Sequence, residues 1–264
     1  MRGALLAVAA LVRREIVRFF RERNRVFGAL AQPVIFWGFF GAGLRASFRP
    51  PVGEGSMSYA EYFFPGTVVL ILLFTAIFST ISLIEDRREG FLQGVLVAPI
   101  PRSCIVLGKV LGGTALALAQ GLLVLALAPL VGVTISPASA GAAVPLLFVI
   151  AFALTALSFC IAWRMDSTQG FHAVMTVFLM PLWLLSGAFF PAAGAPAWMR
   201  ALMAANPLTY GMAAFRRALY PGGGAAVAGL PPSGLALGIT LAFAAAAFIT
   251  ALALARRSGS GGRA

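Results

Sequence analysis

Cysteine and histidine, which supply most metal ligands and many catalytic groups, are almost absent from this chain of 264 residues. It has two cysteines, Cys104 and Cys160, and one histidine, His172. Two cysteines do not indicate a disulfide framework, so we expect reduced thiols. His172 and Ser186 lie about 21 Å apart along one predicted helix, at about 1.5 Å per residue, which excludes a Ser–His proteolytic dyad within one chain. No HExxH motif is present, and we expect no metal site.

The sequence also lacks a phosphate-binding loop. Gly108 and Lys109 resemble the end of such a loop, but Val110 replaces the required hydroxyl residue and no glycine stands at the earlier spacing. The chain therefore cannot hydrolyse ATP by that route, and we expect neither enzymatic activity nor a bound cofactor. If transport by this protein is powered by ATP, a separate polypeptide must bind the nucleotide.

Acidic residues are scarce as well: the chain has eight, against 20 lysines and arginines. All eight fall in predicted loops or interface segments, so no predicted membrane span has a carboxylate in its core. Carriers driven by protons or sodium commonly need one there to bind the coupling ion, although backbone carbonyl groups also bind sodium. This absence argues against an ion-coupled secondary transporter.

Apolar residues are abundant. Hydrophobic residues make up 60% of the chain and charged residues 11%, and the mean hydropathy is +0.93. A soluble domain of this length could not bury so much apolar area, so the sequence predicts an integral membrane protein. The net charge of +12 also suits a nucleic-acid-binding protein. The arginines, however, flank apolar segments instead of forming one polar surface, so we expect no nucleic-acid partner.

Six apolar segments are long enough to cross a bilayer, which takes about 20 helical residues. They are residues 26–44, 63–84, 109–131, 142–163, 168–190 and 235–255. With both termini in the cytoplasm, most of the 20 basic residues lie on the cytoplasmic side, as the positive-inside rule requires. The predicted fold is an all-α, six-span membrane domain over residues 26–255, followed by a disordered cytoplasmic tail, residues 256–264.

An amphipathic helix is predicted before the first span, within residues 1–25. A rotation of 100° per residue places four apolar side chains on one face: Val12, Ile16, Phe19 and Phe20. The opposite face carries four arginines: Arg14, Arg18, Arg21 and Arg25. This pattern is typical of a helix that lies in the cytoplasmic membrane interface with its arginines at anionic head groups. A simple basic flank to the first span is the alternative.

A long segment, residues 191–233, separates spans five and six. It contains two predicted short helices, residues 195–203 and 207–219, and the second has Asn206 as N-cap and Pro207 at its first position. The segment also carries three arginines: Arg200, Arg216 and Arg217. Because each charge costs about 2.5–3.5 kcal/mol at the centre of a span, a further crossing is disfavoured. We predict a re-entrant helical pair that is half-inserted from the outer side.

The segment between spans two and three, residues 85–105, begins with five consecutive charged residues: Glu85, Asp86, Arg87, Arg88 and Glu89. A short amphipathic run follows, and then a break that contains two prolines. The run and the break include these residues: Phe91, Leu92, Val95, Pro99 and Arg102. We expect this charged segment to remain in water on the cytoplasmic side.

Residues 85–109 resemble the segment after the second span of ABC-2 type permeases, the membrane subunits of bacterial ATP-binding-cassette exporters. The shared pattern is a charged run, Gly-x-Leu, Pro-Ile-x-Arg and Leu-Gly-Lys. Residues 186–191 and 206–217 are similar to a second signature of that family, after the fifth span. This chain has Ala98 and Gln93 where many relatives have threonine and glutamate.

The resemblance implies a dimer of permeases, of one kind or two, seated on two ATPase subunits that bind ATP and magnesium. It implies that the loop after span two is a coupling helix that enters a groove of the ATPase. The charged residues named above then pair electrostatically, and Phe91, Leu92 and Val95 form an apolar anchor. Without the resemblance, an ordinary solvated loop is the alternative.

The resemblance further implies an exporter in a bacterial inner membrane that moves an amphipathic drug-like molecule, a lipid or a glycolipid between two protomers. Candidate residues of the path, on spans one and two, are Gln32, Phe36, Phe74 and Phe78. For the aromatic residues, packing or lipid contact is the alternative. Two other functions stay open: an ion-coupled secondary transporter, and a membrane scaffold that recruits an ATPase without transport.

Overall fold

The computed structural model describes residues 2–23, 58–223, 226, 227 and 229–257, with single positions 27, 28, 31, 34, 35, 38, 39 and 43. In this part of the chain the regular structure is entirely helical. The predicted first span, residues 26–44, lies mostly outside the described residues, as do Arg25, Gln32 and Phe36. The predicted tail falls outside them from residue 258 onward.

The helices follow one another in the described ranges with short connections. They are α1 Arg2–Arg21, α2 Tyr59–Arg88, α3 Phe91–Val97, α4 Arg102–Leu125, α5 Pro137–Ala162, α6 Thr168–Trp183, α7 Ala197–Ala205, α8 Pro207–Leu219 and α9 Ser233–Arg257. A π-helical turn, Leu184–Ala188, continues α6, and 3₁₀ turns occupy Ala128–Val131 and Ala192–Gly194.

Five helices in the described part of the chain are long and apolar enough to cross a membrane: α2, α4, α5, α6 with its π turn, and α9. They correspond to predicted spans two to six. Some begin earlier than the apolar runs suggest because polar caps satisfy their first N–H groups. Ser58 and Glu61 form a capping box at the start of α2, and Ser136 caps α5 with Pro137 at its first position.

Pro181 lies inside α6 and does not end the helix. The chain stays helical through Trp183, and it leaves the helix only in the π turn, where Gly187 has a positive φ of 79°. A proline is tolerated inside a membrane helix when neighbouring groups satisfy the freed carbonyl. The left-handed conformation at Gly187, which glycine adopts without a steric cost, is what ends the helix.

Helix α2 lies at the centre of the bundle. It packs against α4, α5 and α6, and its middle is buried on every side, including the whole run from Val68 to Leu73. A helix that is apolar all round is typical of such a position. Helix α2 leads directly into α3. Any molecule that contacts α3 therefore also lies next to the core helix of the bundle.

Helix α1 packs along α4, which confirms a helix there but corrects its predicted orientation. The buried stripe is Leu11, Glu15 and Phe19, spaced at four residues, whereas Phe20 is exposed. The close approach depends on glycines of α4: a Cβ at Gly108 would lie 2.7 Å from the Leu11 Cβ, and α1 crosses Gly112 as closely. Small residues at this spacing let two helix backbones approach each other.

The two short helices between spans five and six are present as predicted. The Asn206 side chain caps α8 by accepting a hydrogen bond from the Leu208 N–H at 2.9 Å, and Pro207 follows at the first position. Helix α7 begins two residues later than predicted, after Pro196. Helix α8 packs against α5, α9 and the π turn. Its insertion into a membrane stays a prediction.

Candidate functional site at the charged end of the bundle

Charged side chains from three helices meet where α2 ends and α4 begins. We call this group the ion cluster; it consists of Arg14, Glu15, Arg18, Ser82, Asp86 and Lys109. Helix α1 supplies its first three members, α2 supplies Ser82 and Asp86, and α4 supplies Lys109. Sequence reasoning selected Arg14, Arg18 and Asp86 for other roles, and it selected neither Glu15, Ser82 nor Lys109.

Asp86 is the centre of the ion cluster and is fully buried. Arg14 donates two hydrogen bonds to its carboxylate, at 2.6 and 2.9 Å, and Arg18 donates a third at 2.5 Å. The Lys109 ammonium group also donates to it. A carboxylate is stable away from water only when cations and hydrogen bonds replace its hydration. Three cations converge on Asp86, so this requirement is met.

Glu15 is the second buried carboxylate of the ion cluster. It accepts hydrogen bonds from the Lys109 ammonium at 2.6 Å and from the Ser82 hydroxyl at 2.5 Å. Lys109, itself buried, therefore bridges the two carboxylates. Since Glu15, Asp86 and Lys109 belong to three different helices, the ion cluster holds α1, α2 and α4 together at this end of the bundle.

Arg18 links the ion cluster to its exposed edge. Its guanidinium donates to Glu85 at 2.9 Å and to Glu89 at 3.3 Å, besides Asp86. Burial lowers the pKa of Arg18, but the surrounding carboxylates outweigh burial and raise the pKa above its ordinary value. Arg18 therefore stays charged, and its charge is paired with carboxylates of its own chain.

These contacts correct two predictions. The charged segment does not lie wholly in water, because α2 continues through it to Arg88 and buries Asp86. The helix ends only where Gly90 adopts a left-handed φ of 77°. Arg14 and Arg18 face carboxylates of α2 and not lipid head groups, so of the predicted interfacial arginines in the described residues only Arg21 is exposed.

Arg87 and Arg102 bind backbone groups at the ends of other helices. Arg87 donates to the carbonyl oxygens of Trp163 at 2.5 Å and Met165 at 3.0 Å, between α5 and α6. Arg102 donates to the Ala255 carbonyl at 3.0 Å, in the last turn of α9. Carbonyl groups at helix C-termini attract cations. Both arginines thus help to assemble the charged end of the bundle.

Helix α3 lies on the outside of the ion cluster. Leu92 is buried in the core of the bundle, so it anchors α3 to its own chain and is not presented to a partner as predicted. Phe91 is partly exposed, with the Arg14 guanidinium 3.6 Å above its ring. Val95 is half-buried, whereas Val97 is 85% exposed and Pro99 is exposed. The outer face of α3 is therefore open, and it exposes the apolar side chains of Phe91 and Val97 beside the polar Gln93.

Two candidates for the substrate path fall in the described residues. Phe74 and Phe78 stack at a centroid distance of 6.4 Å on one side of α2, and both are half-buried. Phe78 also contacts the His172 ring at 5.3 Å. It also packs against the small cluster formed by Phe19 of α1 and Leu116 of α4. The two residues form one aromatic surface between α1, α2 and α6, and their role in a path stays a prediction.

Comparison with known proteins gives consistent matches. A family model described as "ABC-2 type transporter" matches residues 7–220. The "Putative transport permease ycf38" of Cyanophora paradoxa is 28% identical over 203 residues, 76% of this chain and 69% of that protein. "Nodulation protein J" of Sinorhizobium fredii is 28% identical over 206 residues, which are 76% of this chain and 77% of that protein. The "Inner membrane transport permease YadH" of Escherichia coli K12 is 27% identical over 165 residues, which are 60% of this chain and 62% of that protein.

Proposed function

The chain belongs to the ABC-2 type transporter family, and from that premise we propose that it is the membrane-spanning permease subunit of an ATP-driven exporter. The observation that carries the proposal is the open outer face of α3 beside the ion cluster. ATP and magnesium bind in this proposal to a separate ATPase subunit, because the sequence has no phosphate-binding loop.

The proposed docking surface for the ATPase is the outer face of α3 together with the end of α2. It presents the exposed charges of Arg88 and Glu89 next to the apolar side chains of Phe91 and Val97. An interface of this kind gains affinity from a desolvated apolar centre and specificity from charges at its rim. Asp86 lies below this surface and acts through the ion cluster instead.

The ion cluster supports the transmission of movement from α3 to the membrane spans. Leu92 fixes α3 to the core, and the buried charges join α1, α2 and α4 next to it. Packed interiors deform little, so a load applied to α3 shifts these helices together. In the proposed mechanism, ATP binding by the partner displaces α3, and the joined helices open the path on the other side.

The proposed topology has six spans, both termini in the cytoplasm, and the α7–α8 segment re-entrant from the outer side. The distribution of positive charge supports it, because Arg87, Arg88, Arg164, Arg256 and Arg257 all stand at helix ends on the side of the ion cluster. We place the protein in a bacterial inner membrane, as the name of the Escherichia coli relative suggests. It works there as a dimer with itself or with a sister permease.

The proposed cargo is an amphipathic drug-like molecule, a lipid or a glycolipid, moved outward between two protomers. The aromatic pair Phe74 and Phe78 would contact its apolar part. The test is reconstitution of the permease and its ATPase in vesicles with fluorescent lipid analogues. We expect ATP-dependent translocation. Dependence on a proton gradient in the presence of ATP would instead favour a secondary transporter, and hydrolysis without any movement would favour a scaffold.

Val97→Asp is expected to weaken association with the ATPase at least tenfold, because it places a charge at the apolar centre of the docking surface. Co-purification and stimulated ATP hydrolysis measure this effect. Leu130→Asp is the matched control, since Leu130 is 80% exposed at the other end of the bundle. Equal co-purification of the two variants with the ATPase would contradict the docking surface.

A further inference from the structure

The end of the bundle opposite the ion cluster contains a buried arginine with a different environment. Arg216 of α8 is only 1% exposed. Its guanidinium lies 3.9 Å above the Tyr62 ring, and its Nη2 donates to the carbonyl oxygens of Gly187 at 2.9 Å and Ala188 at 3.4 Å. Among the described residues, no carboxylate lies within ion-pair distance of Arg216, and its Nε–H has no hydrogen-bond acceptor.

This environment compensates the charge of Arg216 only in part. The two carbonyl groups lie in the π turn at the C-terminal end of α6, where the helix dipole is negative, and the Tyr62 ring adds a cation–π contact. Neither is a full negative charge, and a buried donor without an acceptor is costly. Lys109, the buried cation of the ion cluster, contacts two carboxylates. The contacts of Arg216 in the described part of the chain therefore leave its positive charge only partly balanced.

A cavity of about 260 Å³ adjoins Arg216. Arg200 of α7 also lines it, and the described part of its lining includes no acidic residue. The hydroxyl groups of Ser186 and Thr209, which line it too, donate to backbone carbonyl oxygens. The arginines are therefore the cationic groups that face the cavity. Its remaining wall is largely apolar and includes Leu230 and Pro231.

We propose that this cavity binds the phosphate group of an anionic amphiphile, with Arg216 at its base and Arg200 at its mouth. Arginine is suited to phosphate because its planar N–H groups match the phosphate oxygens. A volume of about 260 Å³ accommodates a head group but not acyl chains. The acyl chains would instead contact the apolar part of the wall, at Leu230 and Pro231. The anion supplies the negative charge that Arg216 lacks. This site goes beyond the proposed function, because a bound lipid can stabilise the permease whether or not it is transported.

Binding is tested on the full-length protein in neutral detergent by the rise in melting temperature with ligand concentration. The probes are dihexanoyl phosphatidylglycerol, dihexanoylglycerol without the phosphate, and inorganic phosphate. We expect saturable stabilisation by the phosphatidylglycerol and none by the diacylglycerol. Displacement by inorganic phosphate would identify a site for free anions. Failure of phosphate to displace the lipid would identify a head-group site.

The decisive variant is Arg200→Gln, because Arg200 is exposed and its loss leaves the packing around Arg216 intact. We expect its affinity for the phosphatidylglycerol to fall about tenfold or more, as for loss of a charge-assisted hydrogen bond. Arg216→Lys, which keeps the charge but loses the Nε–H, is expected to fall similarly. Arg164→Gln removes an exposed arginine at the other end and should bind as the unchanged protein does.

Two results would overturn the site. One is stabilisation of the protein by the diacylglycerol as strong as that by the phosphatidylglycerol, which would show that acyl chains alone bind. The other is unchanged affinity of Arg200→Gln, which would leave Arg216 as a clamp on the π turn only. Because these assays need neither ATP nor a partner, they can fail while the proposed export function holds, and the reverse is equally possible.

Discussion

The substitution Asp86→Asn is expected to lower the free energy of unfolding by about 3–5 kcal/mol, the cost of removing one partner from a buried charge network. The asparagine keeps the shape of the side chain but leaves Arg14, Arg18 and Lys109 with Glu15 as their remaining buried carboxylate. Thermal and denaturant unfolding of the purified protein in detergent measures the loss. If the proposed function is correct, we expect transport to fall as well, because the polar contacts that join α1 and α4 to α2 are then reduced to those of Ser82, Glu85 and Glu89.

Asp166→Asn is the matched control for this change. The Asp166 carboxylate is 88% exposed and contacts Arg87 at 3.1 Å, and an ion pair in water contributes little. The melting temperature of this variant should be unchanged. If Asp86→Asn melted like Asp166→Asn, the ion cluster would not be a stabilising element.

The second large effect is expected for Gly112→Val on α4. A Cβ at this position would lie 2.8 Å from the Cβ and 3.1 Å from the Cγ of Glu15, closer than real contacts allow. The Glu15 side chain cannot turn away without losing Lys109 and Ser82. Helix α1 must therefore move off α4, at a cost of about 1–3 kcal/mol for overpacking in addition to the lost hydrogen bonds.

Release of α1 by Gly112→Val can be followed through tryptic cleavage at its arginines, which should become faster, together with a lower melting temperature. Gly141→Val is the control, because Gly141 also lies inside a helix but a Cβ there would meet no other atom within 4 Å. Slow cleavage in both variants would contradict the close packing of α1 on α4 as the feature that keeps the helix in place.

The candidate site was predictable only in outline. The charged run after the second span indicated at which end of the molecule the candidate site lies. The proline break indicated where the short helix α3 ends. The sequence did not reveal that Asp86 is buried, because the charges around it are typical of a solvated loop. The signals that bear on it are the spacing of Leu11, Glu15 and Phe19 and the glycine pair on α4. Neither signal indicates a buried Asp86 until the packing of α1 against α4 is known.

The sequence by itself determined that this is a helical membrane protein, where five of its spans lie, and to which family it belongs. Hydropathy and capping are properties of residues near one another in the chain, so they can be read along it. The tertiary structure decided which charges meet. Glu15, Asp86 and Lys109 are far apart in sequence, and they pair only because the glycines of α4 admit α1 beside α2. The same holds for Arg216: that no carboxylate of the described residues pairs with it becomes visible only when its neighbours from α2 and the π turn are in place.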